Sequence, residues 1–148
     1  MIEIIGDIWN YLDSANAICI PTNGIVKKSD GKAVMGAGLA LQALKICPIA
    51  DEALGLSLQR YGQRVGIIGH YNSCYLVAFP TKVHWKDPSI LSLIETSAQR
   101  LVVFSNVMSW KAIVLPRVGC GLGQLQWDDV KVILEKYFDN RFIIVSQK

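Results

Sequence analysis

The sequence predicts an α/β protein with a mixed, mostly parallel sheet covered on both faces. Two observations carry the prediction: six short β-branched or aromatic runs are bounded by Gly, Pro, Asn or Asp, and helical patterns fall between most of them. A third bounds it. At 148 residues, 51% hydrophobic and 18% charged, the chain has the size and composition of a single packed domain spanning 1–148.

The elements follow in order. "IEII" (2–5) and "AICIP" (17–21) read as buried strands. "GLALQALKI" (38–46) is rich in strong helix formers, and a second helix is expected over about 50–60. "RVGIIGHY" (64–71) and "CYLVAFP" (74–80) read as the next two strands. A helix is expected from Ser89, opened by Asp87 as N-cap and Pro88 at the first helical position, with Ile90, Ile94, Leu101, Phe104 and Met108 as its apolar positions. "AIVLP" (112–116) is the fifth strand and "RFIIV" (141–145) the sixth. Between them, from near Trp127, Val130, Ile133, Leu134, Tyr137 and Phe138 repeat at the spacing of one buried helical face.

Composition excludes several classes. There is no internal repeat, low-complexity run or linker, and no apolar run nears the roughly 18 residues of a membrane span. Glu3 and Asp7 do not suit a signal peptide. The expectation is a soluble, cytoplasmic protein with no membrane partner. Cys19, Cys47, Cys74 and Cys120 lie far apart, and with His70 they make no metal-ligand spacing, so no metal or cofactor is expected. A net charge of +3 suits an anionic ligand and is too small to argue for nucleic acid by itself.

Two glycine-bearing stretches, "GKAVMGAGLALQA" (31–43) and "LPRVGCGLGQLQW" (115–127), each lead into a predicted helix, the first from the 17–21 strand through a long polar connection and the second directly from the 112–116 strand. Glycine lets backbone N–H groups approach an anion, and a helix N-terminus adds roughly half a positive charge. The usual nucleotide motifs are absent. There is no GxxxxGK[ST], and Leu41 stands where a dinucleotide fingerprint beginning at Gly36-Ala37-Gly38 needs Gly or Ala. Either stretch alone reads equally well as a turn; together, at strand ends, they favour a diphosphate held between two loops.

With "GDIW" (6–9) after the first strand, "PTNG" (21–24) after the second, "MGAGLA" (35–40) opening the first helix and "GCGLGQLQW" (119–127) as the later loop, the chain resembles a macrodomain, the ADP-ribose-binding α/β module, over nearly its full length. The resemblance implies a three-layer α/β/α sandwich and an ADP-ribose cleft across the strand ends. It implies that Asp7 accepts a hydrogen bond from the adenine amino group beside the Ile8 backbone, and that Asn23, next to Thr22, faces the distal ribose. Asn23 followed by Gly24 also reads as a simple turn. Met35, Gly36, Ala37 and Gly38 would form one wall, and Gly119, Cys120, Gly121, Leu122 and Gly123 the phosphate loop.

"FPTKVHW" (79–85) resembles the segment of the branch that removes ADP-ribose from DNA bases and of the related terminal ADP-ribose glycohydrolases, where a lysine is catalytic. Lys82 is the matching residue. Its amine, once deprotonated, would attack the anomeric carbon of the distal ribose and pass through an open-chain imine. Taken alone, a lysine after a strand is more often a solvated charge. The branch that acts on acidic side chains has an aspartate where this chain has Gly123, which favours the DNA-directed comparison and leaves the acid/base partner unassigned. His84, on an extended segment, would share the face of Lys82. The implied partner is ADP-ribose or an ADP-ribosylated macromolecule, DNA before protein. A phosphatase acting on ADP-ribose 1″-phosphate and a non-catalytic reader of ADP-ribose are the alternatives.

Overall fold

Alternating burial along the strands builds the layers. In the computed structural model, which describes residues 1–147, β2 (Ala17–Thr22) turns Ala17 and Cys19 to one face and Ile18 and Ile20 to the other, all four fully buried. β4 (Cys74–Pro80) does the same with Val77 and Phe79 against Leu76 and Ala78, and β5 (Ile113–Leu115) with Ile113 and Leu115 against Val114. A period of two with both faces apolar is what a sheet covered on both sides requires.

The sheet has six strands in the order β1-β6-β5-β2-β4-β3. β1 (Ile2–Ile5), β6 (Phe142–Ser146), β5, β2 and β4 are parallel, and β3 (Gly66–Tyr71) pairs antiparallel to β4 at one edge. One face packs against α3 (Leu91–Val107) and α4 (Trp127–Glu135) through Ile94, Ala98, Leu101, Val130 and Leu134. The other packs against α1 (Gly38–Ile46) and α2 (Ala50–Tyr61) through Ala43, Ala50 and Leu54. This is the expected α/β/α sandwich. Because β2, β4 and β5 run parallel at the centre, their carboxyl ends open on one side, where a ligand site belongs in such a sheet.

The sequence expectation needs correction in four places. β1 is exposed at every residue because it is an edge strand; Glu3 holds it to α4 by an ion pair to Lys131 (2.7 Å) and by accepting a bond from Trp127 Nε1 (2.9 Å). β3, the opposite edge, buries only Ile68, at a register shift between Ile67 and Gly69. α3 does not begin at Asp87-Pro88: its N-cap is Ile90, with no side-chain cap. The chain before it stays extended because Ser89 N–H donates to Gly123 O (2.9 Å) and Ile90 N–H to Thr81 O (2.8 Å), tertiary bonds that outweigh the local cap signal. α4 ends at Glu135, so Tyr137 and Phe138 lie just beyond it, Phe138 still donating to Leu134 O (2.9 Å).

Candidate active site

Thr22 ends β2, Pro80 ends β4 and Leu115 ends β5, and the loops that leave them enclose a cavity of about 530 Å³. The size is that of a small-molecule site. The loops are stitched to one another: Thr81 N–H donates to Thr22 O (3.0 Å), Gly24 N–H to Val83 O (2.7 Å), and Ser89 N–H to Gly123 O. The 35–40 stretch closes one side and the 119–123 loop the other.

The walls suit an anion. Gly36, Ala37 and Gly38 lead into α1, whose N-cap, Ala37, makes no side-chain cap and whose first turn has no acidic residue. Its first N–H groups therefore have no intrahelical acceptor, and they sit at the positive end of the helix dipole. Opposite, among the described residues, the N–H groups of Gly121, Leu122 and Gly123 donate to no protein acceptor. Lys82 and Arg117 line the cavity, and no Asp or Glu does. α4 does not contribute its N-terminus as the sequence suggested: its first turn holds Asp128 and Asp129, and the later loop offers its own backbone instead.

The glycines fall into two kinds. Gly38 (φ +57°) and Gly119 (φ +77°) adopt left-handed angles, and a Cβ on Gly119 would meet Ile94 Cδ1 at 2.7 Å. At Gly123 a Cβ would run into Ser89 Oγ and lie 2.5 Å from Gly119 O. A side chain there would have to displace Ser89 or the loop backbone. Gly36 and Gly121 are different: neither has a left-handed φ, and a Cβ on either would meet nothing within 4 Å.

Lys82 sits at the cavity rim, half-buried, with Nζ donating to Leu122 O across the mouth (3.5 Å). Its own carbonyl accepts a bond from Gln63 Nε2 (2.8 Å), which fixes the backbone from which the side chain springs. Asn23 lines the cavity while holding the loop: Nδ2 donates to Val34 O (2.9 Å) and Oδ1 accepts from Ile25 N–H (3.0 Å). The turn reading of Asn23 is thus correct as far as it goes, and one amide hydrogen remains for a ligand. Met35 is buried with its edge in the wall. Thr22 and Ser89 line the cavity, and their hydroxyl oxygens are buried without a protein partner.

Three expected residues lie off the cavity lining. Asp7 caps a short 3₁₀ turn over Ile8–Tyr11, Oδ1 accepting from Trp9 N–H (3.0 Å). Trp9 Nε1 donates to Gln42 of α1 (2.7 Å), placing that turn beside the helix whose N-terminus forms the wall. Ile8 is buried beneath it. Cys120 turns away, its thiol directed at Val118 O (3.4 Å) and its pKa raised by burial against the opposing influence of Arg117, so it is not a nucleophile in waiting. His84 also departs from expectation. The segment after Lys82 turns, with Asp87 N–H bonded to His84 O (3.1 Å), and the His84 ring accepts from Lys86 N–H (3.1 Å) outside the lining. Trp85 takes the place at the mouth instead. Trp85 is marked in the sequence only as the last residue of the 79–85 segment, Ser89 only as the start of an expected helix, and Arg117 only as one basic residue after a strand.

No protein-family model matches the chain. It is 31% identical over 122 residues to the DNA ADP-ribosyl glycohydrolase of Thermus aquaticus, an overlap covering 78% of this chain and 34% of that protein. The chain spans about a third or less of the length of curated relatives of this kind. Among solved structures, the macrodomain of Thermus aquaticus DarG superposes with a TM-score of 0.80 at 25% identity, covering 99% of this chain and 97% of that one. Thermosipho africanus DarTG in complex with ADP-ribose gives 0.81 at 19% identity, over 100% of this chain and 42% of that one, a likeness of fold. The sandwich and these likenesses define the class: the chain is a macrodomain. Within that class it belongs with the macrodomains of DarG type.

Proposed function

We propose that the chain binds ADP-ribose across this cavity and hydrolyses the bond joining ADP-ribose to a modified DNA base, with Lys82 as nucleophile. The observation that carries the reading is the placement of the Lys82 amine at the rim, against the Leu122 carbonyl of the later glycine loop, in a cavity whose lining has no carboxylate. The relatives named DNA ADP-ribosyl glycohydrolase support the substrate class.

The diphosphate lies between the open N–H groups of 36–38 and 121–123, the adenine toward the Asp7 turn and the distal ribose toward Lys82. The free Asn23 amide hydrogen serves a ribose hydroxyl. The neutral Lys82 amine adds to C1″ as the bond from C1″ to the base nitrogen breaks. That nitrogen leaves with the electron pair and takes a proton from water. The resulting secondary ammonium gives up a proton to water, and the ribosyl-lysine then opens: the freed Nζ lone pair forms the C1″=Nζ bond, the ring oxygen leaves C1″ and is protonated. Water adds to the imine carbon, the amine departs, and ADP-ribose recloses its ring. The N–H cradle holds the diphosphate during ring opening, when the covalent tether alone would let the ribose rotate.

The test compares wild type with Lys82→Ala and Lys82→Arg on ADP-ribosylated single-stranded DNA, with ADP-ribose affinity measured by calorimetry. Both variants should lose turnover by roughly 10³-fold or more and keep affinity within about threefold, because a nucleophile acts in the transition state and arginine has no free amine. Full activity in both would remove Lys82 from the mechanism. Turnover of ADP-ribosylated protein with none of modified DNA would overturn the substrate class.

A further inference from the structure

Around the connection from α2 to the edge strand β3, three arginines stand without acidic partners: Arg60 on α2, Arg64 on the connection and Arg100 on α3. Arg60, Arg64 and Arg100 are exposed, and among the described residues none has a carboxylate within 4 Å. Their link to the site is covalent and hydrogen-bonded. Gln63, whose side chain holds the Lys82 carbonyl, precedes Arg64 and accepts a bond on its own carbonyl from Arg100 Nη1 (3.2 Å). From there a groove of about 410 Å³ runs between α2, β3 and α3, with Arg60, Arg64, Tyr61 and Phe104 in its walls. Tyr61 is 59% exposed, and the Arg64 guanidinium stacks over its ring at 3.7 Å. At the mouth itself Trp85 is 49% exposed, with Lys86 Nζ 5.3 Å from its ring.

We infer that this groove is the path of a single-stranded nucleic acid, carrying the strand that flanks the modified nucleotide held at Lys82. The inference rests on the DNA-directed reading of the cavity and adds where the rest of the strand lies. Unpaired cations that cost nothing in broken ion pairs fit a phosphodiester backbone, and the exposed rings of Tyr61 in the groove and Trp85 at the cavity mouth fit unstacked bases. The strand is single because a base must leave a duplex stack to bring its modified position to the rim of the cavity. A net charge of only +3 hides this patch, since the remaining charges elsewhere largely cancel.

The test uses the triple variant Arg60→Gln/Arg64→Gln/Arg100→Gln and its lysine counterpart, Arg60→Lys/Arg64→Lys/Arg100→Lys. Binding of an unmodified single-stranded 20-mer is read by anisotropy across salt concentrations, and kcat/KM is measured on an ADP-ribosylated 20-mer and an ADP-ribosylated mononucleotide. The glutamine variant should bind the 20-mer at least tenfold more weakly, with the log–log salt slope shallower by about 2, as expected for three lost phosphate contacts on a single strand. It should lose kcat/KM on the modified 20-mer alone, keeping the mononucleotide and ADP-ribose affinity, and the lysine variant should recover most of the slope. Unchanged 20-mer binding and turnover, or an equal loss on the mononucleotide, would overturn the inference. A 20-mer bound through these arginines by a wild type that turns over no modified DNA would overturn the glycohydrolase reading and leave the strand path standing. Stronger dependence on an acidic peptide than on the 20-mer would assign the groove to protein and overturn the path.

Discussion

The loop that enters α1 and the loop that follows β5 both offer backbone N–H groups to the cavity, but they are built differently. In the first, Gly36 is required by neither its backbone angles nor its neighbours. In the second, Gly119 is held left-handed against Ile94, and Gly123 is pressed between Ser89 and the Gly119 carbonyl, while Gly121 between them looks into open space. The later loop is therefore fixed by packing at both ends and bare in the middle. A glycine in the cavity wall that the chain does not need for itself leaves room for a ligand to approach the backbone there.

The comparison can be broken at its strongest point first. Gly123→Ala forces a Cβ against Ser89 and a backbone carbonyl, so it should cost about 3 kcal/mol, a drop of roughly 10 °C in Tm by calorimetry. An unchanged Tm would mean that the loop yields freely. Gly121→Val should leave Tm within about 1 °C of wild type and weaken ADP-ribose roughly thirtyfold, about 2 kcal/mol, because the added side chain occupies ligand space. A variant that melts lower yet binds normally would make Gly121 a turn glycine after all. The adenine end sharpens the contrast with a side chain. Asp7→Asn keeps the cap on Trp9 N–H through Oδ1 but replaces the outer oxygen by a donor, so ADP-ribose should bind about tenfold more weakly, about 1.5 kcal/mol, with the fold intact. Equal affinity would release Asp7 from the adenine and leave it as a cap.

Much of this was legible in the sequence because the signals were local. The runs at 2–5 and 74–80 and the helix over 38–46 appear with the bounds that the apolar patterning and the flanking Gly and Pro suggest. Exposure of the edge strands was not legible, since composition alone does not tell which strand has one neighbour. The start of α3 was misread because Asp87-Pro88 is a good local cap, whereas the residues behind it are stretched by bonds to Thr81 and Gly123 from distant parts of the chain. An extended segment would set His84 beside Lys82; the turn after Lys82 brings Trp85 to the mouth instead. The two kinds of glycine are indistinguishable in sequence and separate only when the space around each is known.

Borohydride trapping during turnover tests the central claim most directly. Wild-type protein mixed with ADP-ribosylated single-stranded DNA and sodium borohydride should accumulate a stable ADP-ribosyl adduct, because reduction of the C1″=Nζ imine to a secondary amine blocks its hydrolysis. Peptide mass spectrometry should locate the adduct on Lys82, and Lys82→Arg should give none. Continued release of ADP-ribose under borohydride, with Lys82 recovered unmodified, would contradict the covalent mechanism.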